Sequence, residues 1–539
     1  MRGALGGTML GDDARIGPRA DRAERPPETD GLSPAAPHRR LTAAAALLSE
    51  PKPPSEQEPK PPFGARSFSE RTEHAEYVMT TSNAPDLFAL SRIQGPVLHP
   101  GDDGYDAELT GFNLAVRHSP DVVVGATGTD DVVAAMRWAA ATGTPVAVQA
   151  TGHGANSPVD SGLLINTARM TDVRIDPAAR RATICAGAKW RHVLDAAAPH
   201  GLAALNGTST DAGAVGYTVG GGLPVLGRAY GYAADMVRSF NVVTPDGTLR
   251  TASDIEEPEL FWALRGGKGN VGVVTDMVTE LIPLSRVLGG GVFSPGEHAG
   301  ALLTAWADWT RTVPERMCST FTVLRMPPLP QIPEPLRGGF FARVAIAWPG
   351  DPAEGDALLA PIRAAAPVVL DTVHDMPYTE VDAIHMDPQD PLPARESCTL
   401  LRDLTPDAIA AFLGQCGPAA APDYPLLLVG LRHMGGALAR PGPTGDAICA
   451  RDAGYLVESV GVLPDPDAAR AVEAATVALY TALLPYGTGR TMVNIHGRPG
   501  DDTDRARAWT PEVYARLCAD KAAYDPENLL RFGHSVRTA

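Results

Sequence analysis

The chain has few of the features that bind nucleic acids or membranes. It carries 46 Lys and Arg against 63 Asp and Glu, which gives a net charge of −17. Binding to nucleic acid phosphates needs Lys and Arg clustered on one surface, and the sequence shows no such cluster. No uninterrupted apolar run approaches the ~20 residues that a membrane-spanning helix requires. We therefore expect neither nucleic acid nor a membrane among the partners.

Paired cysteines are also lacking. The six cysteines are scattered without a Cys-x-x-Cys pair, at Cys185, Cys318, Cys398, Cys416, Cys449 and Cys518. This spacing is typical of reduced, buried thiols in a cytoplasmic protein and disfavours a disulfide framework or a zinc site. We expect a cytoplasmic location and no metal. Residues 39–48 faintly resemble a twin-arginine export signal, for which a brief Ala-rich helix is the alternative.

The first 82 residues contain little that forms a core. Residues 50–62 consist mainly of proline and charged side chains without an apolar period, a composition typical of disorder. We expect a disordered, Pro-rich extension over residues 1–82, with Met79 as a candidate start of the ordered protein. The full length of 539 residues allows two to four domains.

Helix and strand patterns begin after residue 121. Residues 122–125 predict a strand, Asp130 and Asp131 open an amphipathic helix, and residues 145–148 predict a second strand. Further strands are predicted at residues 162–166 and 182–187, and a helix at 190–200. In the second half, residues 338–348, 425–433 and 455–463 predict long strands. Helices are predicted at 301–312, 351–365, 406–415, 465–484 and 509–521.

A turn of small residues follows the strand at 145–148 and contains His153. Its members are Gln149, Ala150, Thr151, Gly152, Gly154 and Asn156. Such a turn presents backbone N–H groups to a phosphate, since no bulky side chain blocks close approach. A histidine within it would point into the same ligand. On its own, the pattern is more typical of an ordinary loop.

Two glycine-rich stretches follow. The first spans residues 207–235, where glycines alternate with Val, Leu and Tyr rather than with Ser and Lys. This pattern favours backbone packed tightly against a flat or charged group over a flexible loop. The second, residues 260–275, predicts a short helix, a glycine loop and a strand.

These segments together resemble the berberine-bridge-enzyme-like branch of the FAD-linked oxidases, the PCMH-type or vanillyl-alcohol-oxidase superfamily. The resemblance runs from about Gly95 to the C-terminus, and residues 524–530 are the last of the segments that carry it. It implies an α+β fold with a two-part PCMH-type FAD-binding domain at 83–286. It further implies a substrate domain at 287–487, an antiparallel sheet backed by helices. Residues 488–539 would return to the FAD domain.

The resemblance also implies which residues bind FAD. His153 matches the histidine that bonds covalently to the flavin ring. Relatives usually carry Arg at the place of Gln149, and many carry a second covalent anchor, a cysteine, at the place of Ser209. We therefore expect one covalent link, through His153 only. The other expected FAD-binding residues, besides the members of the His153 turn, are Ser209, Thr210, Gly213, Gly216, Gly220, Gly221, Gly222, Asp235, Gly272, Val273, Val274 and Asn528.

One departure from the family pattern affects the chemistry. Relatives often carry Tyr-x-Asn where this chain has Met492 and Asn494, and methionine cannot act as a base. We expect Asn494 to be catalytic, with Tyr455 and His496 as candidate bases; Tyr378 and His433 are further candidates. Arg432, His433, Tyr455 and Glu458 are polar residues on predicted strands, and each is expected to be structural more often than a substrate contact.

The expected reaction is hydride transfer from a C–H bond of a small molecule to flavin N5, with oxygen reoxidising the flavin. The possible substrates are an amine, an alcohol and a secondary metabolite. Oxidation of an alcohol needs a base to remove the hydroxyl proton, whereas oxidation of a neutral amine needs none. Two alternatives stay open. One is a flavin-binding protein with little turnover, because Met492 replaces the usual Tyr. The other is a binding module without flavin.

Overall fold

The structure is a computed structural model that describes residues 88–330, 332–420 and 423–537. The predicted extension at residues 1–82, the export-signal resemblance and Met79 lie outside the described residues. Everything described belongs to one compact unit.

The first sheet carries the predicted strands around the His153 turn. It contains β1 (Val97–Leu98), β2 (Val122–Gly125), β3 (Val146–Gln149) and β4 (Leu163–Asn166), in the order β1-β2-β4-β3. β4 pairs in parallel with both β2 and β3, and β1 pairs antiparallel with β2. β2 and β4 are buried along their whole length, as is typical of parallel strands that are covered on both faces.

Two helices accompany this sheet, α1 (Tyr105–Leu109) and α2 (Thr129–Thr142). α2 carries Asp130 and Asp131 in its first turn, where the helix dipole favours acids. It ends at Gly143, whose φ of 67° allows its N–H to bond to Ala139 O.

A second sheet is antiparallel and lies between the other two in sequence. Its strands, together with a separate two-stranded pair, are β5 (Val173–Asp176), β6 (Arg181–Cys185), β7 (Leu202–Ala203), β8 (Val237–Val243), β9 (Leu249–Ser253), β10 (Val273–Glu280) and β11 (Ile282–Pro283). The sheet order is β5-β6-β10-β8-β9, and β7 pairs with β11. The helices of this region are α3 (Trp190–Ala197), α4 (Ala214–Thr218), α5 (Gly227–Tyr230) and α6 (Pro258–Leu264).

The third sheet is large and antiparallel, and helices cover one of its faces. Its strands are β12 (Arg286–Pro295), β13 (Cys318–Arg325), β14 (Phe340–Trp348), β15 (Leu370–Asp371), β16 (His374–Pro377), β17 (Ala394–Leu401), β18 (Leu428–His433) and β19 (Tyr455–Val462). The order is β15-β12-β14-β13-β18-β19-β17, with β16 also paired to β12. The helices are α7 (Ala299–Thr310), α8 (Pro352–Leu358), α9 (Ala360–Ala365), α10 (Pro406–Cys416) and α11 (Pro466–Leu483).

The helix-covered face of the third sheet forms a dry core. Phe321 and Leu431 from the sheet join Trp306, Phe412 and Leu479 from the helices in one buried cluster. Burial of each such side chain stabilises the fold by roughly 1.5–3 kcal/mol. The α+β class and the antiparallel sheet backed by helices are confirmed. The predicted domain boundary at residues 286 and 287 falls at the start of β12, and the boundaries themselves stay predictions.

Short 3-10 helices connect several of these elements. They lie at Ala89–Arg92, Ala198–His200, Ala233–Met236, Gly296–His298, Glu334–Leu336, Tyr378–Ile384, Gly436–Ala439 and Leu484–Tyr486. Among the described helices, none combines the length and the hydropathy needed to cross a membrane. All six cysteines are free thiols, and four of them are buried.

A buried ion pair fixes the C-terminal segment, which contains α12 (Asp502–Ala506) and α13 (Pro511–Tyr524). Lys521 Nζ lies 2.7 Å from Asp525 Oδ2, and neither side chain has any exposed surface. The ammonium also donates to Leu530 O at 2.8 Å, and the Asp525 carboxylate accepts the N–H groups of Leu529 and Leu530. Leu529 O in turn accepts the N–H of Val146 at the start of β3. The segment is thereby tied to the first sheet.

We expect Asp525→Asn to lower the free energy of unfolding by about 3–5 kcal/mol, because it leaves the Lys521 ammonium buried without a counter-charge. Urea denaturation followed by circular dichroism measures this. The control is Asp467→Asn, which breaks an exposed pair with Arg470 on α11 and should cost no more than about 1 kcal/mol. Equal unfolding midpoints for the two variants would contradict the prediction.

Candidate active site

A cavity of about 570 Å³ lies where the first and third sheets approach each other. Five parts of the chain line it: the His153 turn, the glycine loop at residues 207–217, the second glycine loop at 268–274, one face of the third sheet, and the segments 492–495 and 530–535. These parts are far apart in sequence. The cavity is therefore a product of the complete fold.

The His153 turn is held by close backbone contacts. Gly152 has a φ of 74°, and a Cβ added to it would lie 2.5 Å from Gly111 Cα, so only glycine fits. Phe112 N donates to Thr151 O at 2.9 Å. Thr151 Oγ1 accepts the N–H of Gly213 at 3.2 Å, which joins the turn to the glycine loop.

His153 lies in the cavity wall as a neutral imidazole. Its ring stacks on Phe112 with centroids 3.7 Å apart and an interplanar angle of 10°. Burial lowers the pKa of His153 to about 4; Asp211 opposes this shift and Lys189 adds to it. At neutral pH one ring nitrogen therefore keeps an unprotonated lone pair.

Gln149 uses its side chain within the protein. Its Nε2 donates to Leu109 O at 3.2 Å, and its Oε1 pairs with His118 Nε2 at 3.1 Å. His118 Nδ1 accepts the N–H of Val159, so His118 Nε2 is the donor to Gln149. Gln149 lines the cavity with its polar atoms already partnered.

The cavity wall leaves room and polar groups for a ligand. A Cβ added at Gly154 or Gly216 would meet no protein atom within 4 Å, and both glycines line the cavity. Five lining residues carry buried polar atoms without a protein partner, and the atoms are Tyr217 OH, Asn494 Oδ1, His534 Nε2 and the Nε atoms of Arg343 and Arg432. Buried polar groups normally have partners, so these atoms and the glycine cradle fit a ligand with both flat and polar surfaces.

Asn494 and Met492 both reach the cavity. Asn494 Nδ2 donates to Tyr217 O at 2.8 Å, which fixes its amide. The segment is tied to β17, because Met492 N donates to Cys398 Sγ and Thr491 Oγ1 donates to Cys398 O. Asn494 therefore lies at the junction of the glycine loop and the third sheet.

Charged side chains cover the cavity face of the third sheet. Glu396 on β17, Glu458 on β19 and Arg432 on β18 line the cavity, as does Arg343 on β14. Register places them on one face, since Glu396 pairs with Val460, and Gly430 pairs with both Glu458 and Thr322. Arg432 Nη2 lies 3.5 Å from Glu458 Oε2. The Nε atoms of Arg343 and Arg432 are buried without a protein partner.

Glu396 has the most unusual titration in this cluster. Glu396 is an exposed residue that lines the cavity wall. Desolvation of its carboxyl group, together with the carboxylates of Glu458 and Asp387, raises the pKa of Glu396 to about 8. The guanidinium of Arg432 opposes the shift. A carboxyl group with this pKa accepts and releases protons near neutral pH.

The cavity brings together most of the residues expected from the sequence. Those in its wall are Gln149, Ala150, Thr151, Gly152, His153, Gly154, Asn156, Ser209, Gly213, Gly216, Gly272, Val273, Val274 and Asn494. Outside the wall lie Thr210, Gly220, Gly221, Gly222, Asp235, Asn528, Tyr455 and His496.

Tyr455 faces away from the cavity. It pairs with His433 and Leu401, one residue out of step with the cavity-facing positions of the third sheet. Its hydroxyl bonds to Thr310 Oγ1 on α7 at 2.7 Å, and the side chain is buried. Burial raises the pKa of Tyr455. In this structure, Tyr455 is a core residue and is not placed to take a substrate proton; His433 and Tyr378 also lie outside the cavity wall.

His496 lies outside the cavity wall, next to His534. Its ring centroid is 5.0 Å from that of His534, and its Nε2 is 3.2 Å from Asp504 Oδ2. His534 lines the cavity and its Nδ1 accepts from Asn156 Nδ2 at 2.9 Å. His496 therefore reaches the cavity only through His534.

The other expected residues outside the wall have structural partners. Thr210 bonds to Asp382 through its N–H and its hydroxyl. Asp235 pairs with Arg451 Nη2 at 2.5 Å. The three glycines at 220–222 lie directly behind lining residues, where a Cβ would strike Asn494, Ile448 or Tyr217. Asn528 forms a turn with a φ of 51° that leads to Leu530 in the wall.

Sequence reasoning missed several residues of the wall. Lys268 lies inside a loop that the sequence identifies by its glycines, and the pattern gives no separate signal for its charge. Arg343 lies in the strand predicted at 338–348 but was not among the expected site residues, and Glu396 lies on β17, which the sequence pattern did not predict. His385 and Asp387 follow a 3-10 helix that the sequence pattern did not predict. Strand alternation around Arg432 was the signal available for the sheet residues, once the register was known.

Comparisons with known proteins agree with this geometry. Residues 120–253 match a sequence family described as FAD binding domain. The chain is 29% identical over 467 residues to (R)-6-hydroxynicotine oxidase of Paenarthrobacter nicotinovorans, covering 82% of this chain and 97% of the relative.

Solved structures share the fold. The crystal structure of 6-hydroxy-D-nicotine oxidase from Arthrobacter nicotinovorans matches with a TM-score of 0.72 and 25% identity, covering 83% of this chain and 98% of that one. Glucooligosaccharide oxidase from Acremonium strictum matches with a TM-score of 0.72 and 20% identity, covering 85% and 100%. The latter carries a 6-S-cysteinyl, 8α-N1-histidyl FAD.

We expect Gly216→Leu to lower retention of FAD, because its side chain would project into the cavity. Overpacking of this kind costs about 1–3 kcal/mol, or roughly 5- to 150-fold in affinity. The ratio of flavin to protein absorbance measures it. The control is Gly414→Leu, another helical glycine with open space around its Cβ, which lies outside the cavity and should keep full FAD. Equal FAD content in both variants would show that the cofactor does not occupy this part of the cavity.

Proposed function

We propose that the chain oxidises a small-molecule amine as a member of the PCMH-type FAD-linked oxidase family. The match to an FAD binding domain and the oxidase relatives support an FAD-dependent oxidase. When bound, FAD accepts a hydride from a substrate C–H bond and passes the electrons to oxygen, giving hydrogen peroxide. The observation that carries the proposal is Glu396, an acidic side chain with acidic neighbours at the cavity face of the third sheet.

The cluster around Glu396 favours a positively charged substrate. Three carboxylates, of Glu396, Glu458 and Asp387, meet two guanidiniums in this part of the wall. Glu458 is already paired with Arg432, which leaves Glu396 and Asp387 available to a ligand, and Glu396 lies on the sheet face itself. An ammonium group beside it would favour the ionised form of Glu396, because opposite charges attract strongly where water is excluded.

Glu396 would then accept the proton of the substrate ammonium group, which must be removed before hydride can leave the adjacent carbon. An ammonium nitrogen has no lone pair, and hydride leaves the adjacent carbon only when that lone pair is free to form the iminium. A carboxylate whose pKa is about 8 is a better proton acceptor than an ordinary glutamate, whose pKa is about 4.3. Once the amine is neutral, no further base is needed, which fits Met492 in the wall.

One of the relatives supports an amine substrate. The match covers 97% of (R)-6-hydroxynicotine oxidase. By its name, this relative acts on a nicotine, whose saturated ring contains an amine nitrogen. An alcohol substrate would need a base throughout the reaction.

We further propose that FAD is held by the His153 turn and the two glycine loops, with one covalent link through His153. A neutral imidazole keeps the nucleophilic lone pair that such a bond requires, and burial maintains it in that form. Ser209 lines the cavity, and its hydroxyl cannot form the thioether that a cysteine forms. Asn156, Gly213 and Gly272 line the cradle and would let the cofactor approach the backbone closely.

We expect Glu396→Gln to lower kcat/KM by about 10²-fold or more at pH 7, because the amine keeps its proton. The loss should shrink to below about tenfold near pH 10, where a much larger fraction of the amine is free in solution than at pH 7. In the parent enzyme, kcat/KM should rise with pH through about 8, as Glu396 ionises. The rate of hydrogen peroxide production, measured with a panel of secondary and tertiary amines at a series of pH values, gives kcat/KM for the parent and for the variant.

The control for this test is Glu458→Gln. It removes a neighbouring negative charge that raises the pKa of Glu396, so the rising limb of kcat/KM should move to lower pH. A loss in Glu396→Gln that is the same at every pH would instead favour an alcohol substrate. Flavin that no amine or alcohol reduces would support a protein with little turnover.

We expect the yellow colour to stay with the protein after acid precipitation, and to be lost in His153→Ala. The visible spectrum of the pellet and peptide mapping by mass spectrometry measure this. The control is His534→Gln, which changes another histidine of the cavity wall but keeps a partner for Asn156. Colour in the pellet of His153→Ala would place the link elsewhere, and colour only in the parent supernatant would remove the covalent link.

A further inference from the structure

Lys268 occupies an unusual place in the second glycine loop. Its φ is 62°, a left-handed conformation that side-chain-bearing residues rarely adopt. Its N–H donates to Val219 O at 2.9 Å, and the N–H of Gly266 bonds to the same carbonyl at 3.0 Å. Conformations of this kind persist when the surrounding structure enforces them, and they concentrate at functional sites.

The side chain of Lys268 enters the cavity wall beside Asn494. Both side chains pass over Gly220, where an added Cβ would overlap Asn494 Oδ1 and lie 2.9 Å from Lys268 Cε. Gly220 therefore leaves the space through which Lys268 reaches the cavity. Asn494 Oδ1 is buried without a protein partner, so two neighbouring polar groups face the same ligand.

The ammonium of Lys268 has no counter-charge among the residues that the structure describes. Among the described residues, no carboxylate forms an ion pair with it. Burial lowers the pKa of Lys268 to about 8, so the amine is still mostly protonated at neutral pH. The positive charge of Lys268 helps to lower the pKa of His534. A buried cation without a partner is costly, and a bound anionic group would offset that cost.

The position of Lys268 points to the redox-active part of the cofactor. Asn494 belongs to the segment tied to β17 through Cys398, and β17 carries Glu396. Lys268 thus lies at the end of the cavity that the charged face of the third sheet covers. Substrate and the flavin ring must meet at that end for hydride to pass between them.

We propose that the Lys268 ammonium lies against the flavin ring of bound FAD and compensates the negative charge that the ring gains on reduction. The C–H bond of the neutral amine breaks, and its electron pair and proton pass together as hydride to flavin N5. The substrate would become an iminium cation, and the reduced cofactor would hold one additional negative charge. Oxygen would later take up two electrons, the proton that came with the hydride and one proton from water, which gives hydrogen peroxide and restores the oxidised cofactor. A fixed cation stabilises this charge without reorganisation.

This inference rests on FAD binding and not on the amine substrate, so the two fail separately. The test measures the midpoint potential of the flavin and its affinity for sulfite, neither of which uses the substrate. Sulfite adds to the flavin ring and leaves a negative charge on it, and bleaching of the flavin absorbance reports the binding. The variants are Lys268→Met, which removes the charge, and Lys268→Arg, which keeps it.

We expect Lys268→Met to raise the sulfite dissociation constant at least tenfold and to lower the potential. A tenfold loss of preference for the reduced form corresponds to about 30 mV for a two-electron couple. Lys268→Arg should stay within about threefold of the parent in sulfite affinity. Lys268→Gln, a polar replacement, should behave like Lys268→Met and guards against a folding defect specific to methionine.

Three outcomes would overturn the proposal. Potential and sulfite affinity unchanged in both Lys268→Met and Lys268→Gln would show that the ammonium does not act on the ring. Reduced FAD incorporation with an unchanged potential would place Lys268 on the phosphates or ribityl chain instead. Equal shifts in Lys268→Met and Lys268→Arg would assign the effect to shape and not to charge.

Discussion

The alternation of side chains across the third sheet is the constraint on which the site depends. Strands β14, β17, β18 and β19 each present apolar residues to the helices and a charged residue to the cavity. Phe321 and Leu431 pack against Trp306 and Phe412 on one face, whereas Arg432 on the neighbouring position faces the cavity. Antiparallel strands combine the two environments at low cost because successive side chains point in opposite directions. The dry face stabilises the sheet, and the sheet holds buried charges in fixed positions.

The cavity is closed by bonds between residues distant in sequence. Thr151 bonds to Gly213, Asn494 to Tyr217, and Asn156 to His534. None of these bonds belongs to a helix or strand, and each ties a loop to a separate part of the wall. Rigid loops of this kind suit hydride transfer, since the donor carbon and the acceptor must be held close together and aligned.

Much of the fold follows from local patterns in the sequence. The strand before His153 and the helix opened by Asp130 are present where their patterns predict them. The helix predicted at 351–365 is two helices, because Pro361 lacks the N–H that a continuous helix would use. The facing of Tyr455 depended on register, and a shift of one residue moves a strand side chain to the other face. Lys268 and Glu396 come together in the cavity wall only through tertiary packing, which no local pattern contains.

The bond between Asn156 and His534 also sets the order of events in biosynthesis. The two residues are separated by 378 positions, so a ribosome that adds about 5–20 residues per second makes the second roughly 20–75 s after the first. Until then the nascent chain holds His153 beside an open groove. Flavin therefore meets a finished pocket only after the residues around His534 have been made.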